Sequence, residues 1–183
     1  MTVYVALLRG INVGGNNLIK MPALKACFEG QGLREVSTYI QSGNVLFTAG
    51  RSNPLVLTSQ IEESLSKTFD YESRIVLRSF EEMNRIVSRA PKGFGTRPTE
   101  YRYDVIFLKH PLAAEEALKS MSEKPGVDRI FAGDGVVYSS RLIAKAAESH
   151  LSRIVGKPVY QYMTIRNWNT TGRLLQLMER MRS

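Results

Sequence analysis

The order of apolar periods along the chain predicts an α+β protein built twice on a β-α-β-β-α-β plan. Three observations lead there. Short β-rich runs alternate with segments of helical period, a hairpin signal stands in the middle of each half, and a Pro/Gly loop parts the halves.

The first run, VYVALL at residues 3–8, has strand composition. Pro22 then stands where a first helical residue is expected. Leu24, Cys27 and Phe28 fall at i, i+3 and i+4, and Gly30 and Gly32 close the segment. EVSTYI and NVLFTA read as strands around QSG, a hairpin. Asn53 and Pro54 open a helix on which Leu57, Ile61, Leu65 and Phe69 recur every fourth residue, and SRIVLR at 73–78 is the fourth strand. Ser79 and Glu82 form an S-x-x-E capping box for a connecting helix that carries Met83, Ile86 and Val87.

APKGFGTRP, residues 90–98, is the boundary. It sets an N-terminal subdomain with its connecting helix at 1–90 and a C-terminal subdomain with a terminal helix at 91–183, either separate or packed as one domain. In the second half, YDVIFL at 103–108 is a strand and 112–121 a helix. DRIFA and VVYSS are strands around a GDG turn. Residues 143–155 read as a helix closed by Gly156 and Pro158, and YQYMTI at 160–165 as the last strand. A terminal helix follows with Leu174, Leu175, Met178 and Met181, and arginines near its C-terminus that suit its dipole. The repeated unit is ferredoxin-like. The expected architecture is therefore tandem ferredoxin-like with antiparallel sheets and a C-terminal helix, and one mixed sheet is the alternative.

A 43% apolar and 23% charged composition is that of an ordinary globular protein, and a net charge of +8 suits an anionic partner. No acid precedes Glu29, and Glu179 is the only acid from Ser149 onward, against Arg153, Lys157, Arg166, Arg173, Arg180 and Arg182. Cys27 is the only cysteine, which rules out an intrachain disulfide and fits a reducing compartment. The run at 3–8 is too short for a membrane span or a signal h-region. The expectation is a soluble cytoplasmic protein without a membrane partner.

The β-α-β-β-α-β plan puts the loop after the first strand and the central hairpin at the same end of the sheet. Residues 9–20 then lie beside Gln41, Ser42, Gly43 and Asn44. That loop has about twelve residues where strand-to-helix connections usually take about 2–6, and long ordered loops often carry function. Gly10, Gly14 and Gly15 can take positive φ and turn backbone N–H groups toward an anion. Asn12, Asn16 and Asn17 add amides, Arg9 a planar fork, Lys20 a mobile charge, and a helix starting near Met21 its positive end. GINVGG matches neither the dinucleotide-binding fingerprint nor the P-loop. The bland alternative is a glycine-rich turn packed over a sheet end.

TIRNWNTTGRLL is the second candidate. Asn169 or Thr170 suits an N-cap and Trp168 a packing anchor, which leaves Arg166 and Asn167 as ligand contacts. Ser140, Arg141 and Lys145 form a third, weaker group that also reads as a solvated helix start.

YVALLRGINVGGNN, STYIQSGNVLF and TIRNWNTTGRLLQL together resemble an uncharacterised bacterial family known only as a domain of unknown function. Its signature is A-L-L-R-G-I-N-V-G-G, T-Y-I-x-S-G-N and T-x-R-N-W-x-T, and the resemblance extends over essentially the whole chain. It implies a compact ferredoxin-like α+β fold and no known activity. The family's polar signature falls on Arg9, Asn12, Asn16, Ser42, Asn44, Arg166, Asn167 and Thr170. A lysine would be expected where Asn16 or Asn17 stands, and its absence weakens a phosphate site there.

His110, His150 and Cys27 make no ligand-spaced cluster, so no metal is expected, and no cofactor motif is present. Nucleophile elbows and paired carboxylates near the loops are missing too. Enzymatic activity is left open; any catalysis would use arginine and amide stabilisation of developing negative charge. The leading expectation is a small phosphate- or carboxylate-bearing ligand at residues 9–20 and 42–44. Its contacts would be Arg9, Asn12, Gly14, Gly15, Asn16, Lys20, Ser42 and Asn44, with Arg166, Asn167 and Thr170. Nucleic acid is the second expectation. RNA-recognition modules share the plan but stack bases on aromatics of their central strands. The corresponding strands of the first half carry only Tyr4 and Phe47. A protein–protein module is the third.

Overall fold

A computed structural model describes every residue, Met1–Ser183. The elements run β1 (Thr2–Leu8), α1 (Met21–Glu29), β2 (Arg34–Tyr39), β3 (Asn44–Ala49), α2 (Pro54–Phe69), β4 (Ile75–Ser79) and α3 (Phe80–Ser88). The second half continues with β5 (Tyr101–Leu108), α4 (Ala114–Ser120), β6 (Asp128–Ala132), β7 (Val136–Leu142), β8 (Met163–Asn167) and α5 (Trp168–Arg180). They form two four-stranded antiparallel sheets, ordered β2-β3-β1-β4 and β6-β7-β5-β8, each the ferredoxin-like order. Two sheets exclude the single mixed sheet. The chain divides into two compact units, Met1–Met83 with Leu174–Ser183, and Asn84–Arg173. No helix is long and apolar enough to cross a membrane.

In the first unit, side chains alternate across the sheet with the period of two that strands impose. Tyr4, Ala6 and Leu8 of β1 and Val45 and Phe47 of β3 share one face with Leu24 and Phe28 of α1 and Leu57, Ile61 and Leu65 of α2. Tyr4 is the cross-strand partner of Phe47, their rings stack with centroids 5.8 Å apart, and Phe28 tilts onto Phe47 at 5.5 Å. Helix ends are fixed locally. Asn53 Oδ1 accepts from Leu55 N at 2.9 Å ahead of α2, and α2 closes on Asp70 in the left-handed region at φ 51°. The capping box forms as expected. Ser79 N donates to Glu82 Oε2 at 2.7 Å and Glu82 N to Ser79 Oγ at 3.3 Å. Ser79→Ala removes one of those acceptors, and urea unfolding is expected to show a loss of about 1 kcal/mol. Leu174 and Met178 of α5 are fully buried members of this unit, and Arg182 lies 4.1 Å over the Phe80 ring.

The second unit repeats the plan with one substitution. Ile106, Leu108 and Val137 of its central strands pack with Ala114 and Ala117 of α4. The helix expected at 143–155 does not form. Three 3-10 segments, Ile143–Glu148, Leu151–Ile154 and Pro158–Tyr162, take its place and make an arch; β8 starts at Met163, later than the sequence suggests. The reason is physical. Of the expected apolar stripe only Ile154 is buried, so a helix here has no face to bind to the sheet. Asp128, itself buried, instead takes the His150 N–H at 2.7 Å and the Ser149 hydroxyl at 2.7 Å, and Ser149 is extended. The 3-10 segments on either side are joined there by a polar clamp.

Candidate functional site

Residues 9–20 fold as a small hairpin of their own. Val13 bridges Asn16, whose N–H donates to Val13 O at 3.0 Å, and Asn12 N donates to Asn17 O at 3.2 Å. Gly14 and Gly15 are the two central residues, at φ 59° and 78°. A two-residue turn with both φ positive is the geometry for which Gly-Gly is selected, so these glycines shape a hairpin tip. The base of the loop is clamped. Asn12 Nδ2 donates to Ile19 O at 3.1 Å and Gln41 O at 2.9 Å, while its Oδ1 accepts from Ile19 N at 2.8 Å. Asn17 Nδ2 donates to Gly10 O at 2.9 Å. Ile11 is buried, and Leu8 N donates to Gly43 O at 2.8 Å.

The expected meeting of the loop with the hairpin of residues 42–44 therefore takes place through Asn12 and Gly43. Its polar residues divide into two sets. Asn12 and Asn44 hold the backbone together; buried Asn44 donates from Nδ2 to Tyr39 O at 2.8 Å and Ser42 Oγ at 3.2 Å. Lys20, Asn16, Gly14 and Gly15 are exposed and Arg9 is half-buried. Lys20 is the N-cap of α1, which has no side-chain cap and no acid in its first turn. Val13 and Leu18, 64% and 75% exposed, flank the hairpin tip.

The C-terminal motif belongs to the second unit up to Arg173. Arg166, opposite Val105 on β5, is buried, and burial lowers its pKa to about 10, so it keeps its charge at neutral pH. Asn167 is the cap that sequence assigned to Asn169 or Thr170. Its Oδ1 accepts from Asn169 N at 2.9 Å, and Thr171 Oγ1 returns a bond to Asn167 O at 3.0 Å. Thr170 is half-buried beside it. Trp168 anchors packing, meeting Phe94 edge-on at 5.1 Å. Asn167 and Trp168 also line a cleft of about 370 Å³ with Tyr101, Arg102 and Arg141. Tyr101 and Arg102 join these residues only in the folded chain. Their signal in the sequence is the alternation YRYD, which places two rings on one face of β5 and Arg102 with Asp104 on the other.

Tyr4 and Phe47 are 5% and 0% exposed beneath the helices, so neither ring is offered to a stacked base. Cys27 is half-buried against the core, its Sγ 3.4 Å from Ser64 Oγ.

The sequence profile of a family described as a protein of unknown function, DUF1697, matches residues 1–138. The chain belongs to the DUF1697 family. The loop and hairpin motifs both lie inside the matched residues. The DUF1697 chain is also similar in structure to the conserved bacterial protein SP0830 from Streptococcus pneumoniae, with a TM-score of 0.82 at 24% identity over 97% of this chain and 98% of that one. The likeness is one of fold. No curated protein matches the DUF1697 chain.

Proposed function

We propose that this DUF1697 protein binds a small anionic ligand, bearing a phosphate or a carboxylate, at the loop–hairpin end of its first unit. The observation that carries the reading is the triple hydrogen bonding of Asn12, which ties the residue before Lys20 and the turn at Gln41 to one amide. The uncapped start of α1, with the positive end of its dipole, is thereby held against the hairpin. Lys20 sits at that start and Arg9 at the other end of the loop, and no acid occurs in the chain before Glu29. A pre-formed loop loses little ordering entropy on binding, which favours a small ligand.

Thermal unfolding against nucleotides and phosphorylated metabolites, at low and physiological salt, tests this. A ligand at about 100 times its Kd stabilises by roughly 2.7 kcal/mol. The shift is expected to survive salt and to disappear in Arg9→Ala and Lys20→Ala, and the exposed Lys20 variant should keep its ligand-free stability within about 0.5 kcal/mol of the parent. Stabilisation by oligonucleotides alone, erased by salt, would reassign the surface to nucleic acid. No shift from any anion, with capture of a folded partner through Val13 and Leu18, would make the tip a protein contact.

A further inference from the structure

A second site stands in the second unit and does not depend on the loop reading. In the first unit α2 buries three side chains on its sheet; the matching stretch of the second unit is the 3-10 arch, which buries only Ile154. Between arch and sheet lies a cleft of about 270 Å³. Leu151, Ile154 and Val155 of the arch form one wall, and Ile106, Ile165 and Met121 the other. One end is polar. Arg102 pairs with Arg141, and Asp104 with Ser139, across β5 and β7, so these four residues make a two-by-two block on a single face.

Within this block the charges are incompletely matched. Arg102 Nε donates to Asp104 Oδ2 at 2.8 Å. Asp104 Oδ1 and Arg141 Nε are the two buried side-chain polar atoms of the chain without a hydrogen-bond partner, and both residues line this cleft. Asp128, cross-strand from Arg141, already accepts from Lys124 N, His150 N and Ser149 Oγ. One acceptor and one donor, each costly to leave unmet, thus adjoin an apolar hollow. The Asp128 carboxylate offsets the second guanidinium, so it is the unmet Arg141 Nε together with the unmet Asp104 Oδ1, a donor and an acceptor, that calls for a ligand carrying both an acceptor and a donor.

We propose that this cleft binds a small molecule with a carboxylate, an adjacent hydrogen-bond donor and a short apolar arm: the chemistry of an apolar α-amino acid or its α-hydroxy analogue. The carboxylate takes the donors of Arg141 and Arg102. The α-amine or α-hydroxyl donates to Asp104 Oδ1, and the arm lies among Ile106, Leu151, Ile154 and Ile165.

Calorimetric titration of the whole protein with four probes tests the assignment. These are leucine, its α-hydroxy analogue, the same acid without the α-substituent, and the same amine without the carboxylate. Leucine or the hydroxy acid is expected to bind saturably at millimolar concentration or below, and the better of the two identifies the donor. Loss of the α-donor should weaken binding about ten- to a hundredfold, the worth of one charge-assisted hydrogen bond, and loss of the carboxylate should abolish it. Arg141→Met should abolish it as well. Arg102→Met, at a side chain 52% exposed, supplies the variant arm if Arg141→Met does not fold, and should weaken binding at least tenfold. The proposal is overturned if neither leucine nor the hydroxy acid saturates, if the bare amine binds as well as leucine, or if a folded arginine variant keeps full affinity.

Discussion

Gly43→Ala is expected to destabilise the first unit by about 3 kcal/mol, measured as a drop in the urea midpoint at unchanged slope. Two costs add. Gly43 sits at φ 87°, where a Cβ costs roughly 1–2 kcal/mol. Its Cβ would also stand 2.7 Å from Ile11 Cδ1 and 2.9 Å from Leu8 Cβ, an overpacking worth about 1–3 kcal/mol. Neither neighbour can easily move, because Ile11 and Leu8 are both 1% exposed and Leu8 N donates to Gly43 O. Gly15→Ala is the control. Its φ is 78°, yet nothing lies within 4 Å of the added carbon, so only the backbone term of about 1–2 kcal/mol should appear. Equal losses at the two positions would show that the loop base yields to the new methyl group and is not the clamp described above.

Asp128→Ala should cost about 4 kcal/mol in the second unit, whereas Asp128→Asn should cost about 1 kcal/mol. Alanine strands three donors, the Lys124 and His150 N–H groups and the Ser149 hydroxyl. Asparagine preserves the pattern. Its carbonyl oxygen can take the place of Oδ2, which receives both N–H groups, and its amide can donate to Ser149 Oγ at the place of Oδ1. Only the charge assistance is lost. Hydrogen exchange at the His150 amide separates the cases: rapid in the alanine variant, protected in the asparagine variant. Similar protection in both would mean that the 3-10 arch is held by its own turns.

The first unit was legible because its element ends carry their own chemistry. Pro22 marks the start of α1 by its fixed φ, Asn53 and the Ser79–Glu82 box mark helix starts by local hydrogen bonding, and Leu57, Ile61 and Leu65, recurring every fourth residue, name a buried face. The arch departs from the helix that its sequence suggests for the complementary reason. Alanines at 144, 146 and 147 have high helix propensity, but the competing bond comes from Asp128, 22 positions before His150, and no local period reports it. At the candidate site the positions were legible and several roles were not. An asparagine amide that can hold an anion can equally hold a carbonyl, and at Asn12 and Asn44 the carbonyls lie within reach. Arg102 and Arg141 become neighbours only once the register of β5 on β7 is known.

The return of residues 174–183 to the first unit has a consequence for synthesis. Residues 1–83 emerge first but lack Leu174 and Met178, which belong to the same unit and are fully buried in the finished protein. The ninety residues from 84 to 173 must be made in between, roughly 5–20 s at about 5–20 residues per second. Throughout that interval the nascent first unit lacks the residues from 174 to 183 that belong to it. The unit that begins first on the ribosome is the last to be completed, and a chain terminated at Arg173 would contain a whole second unit and a first unit without its last segment.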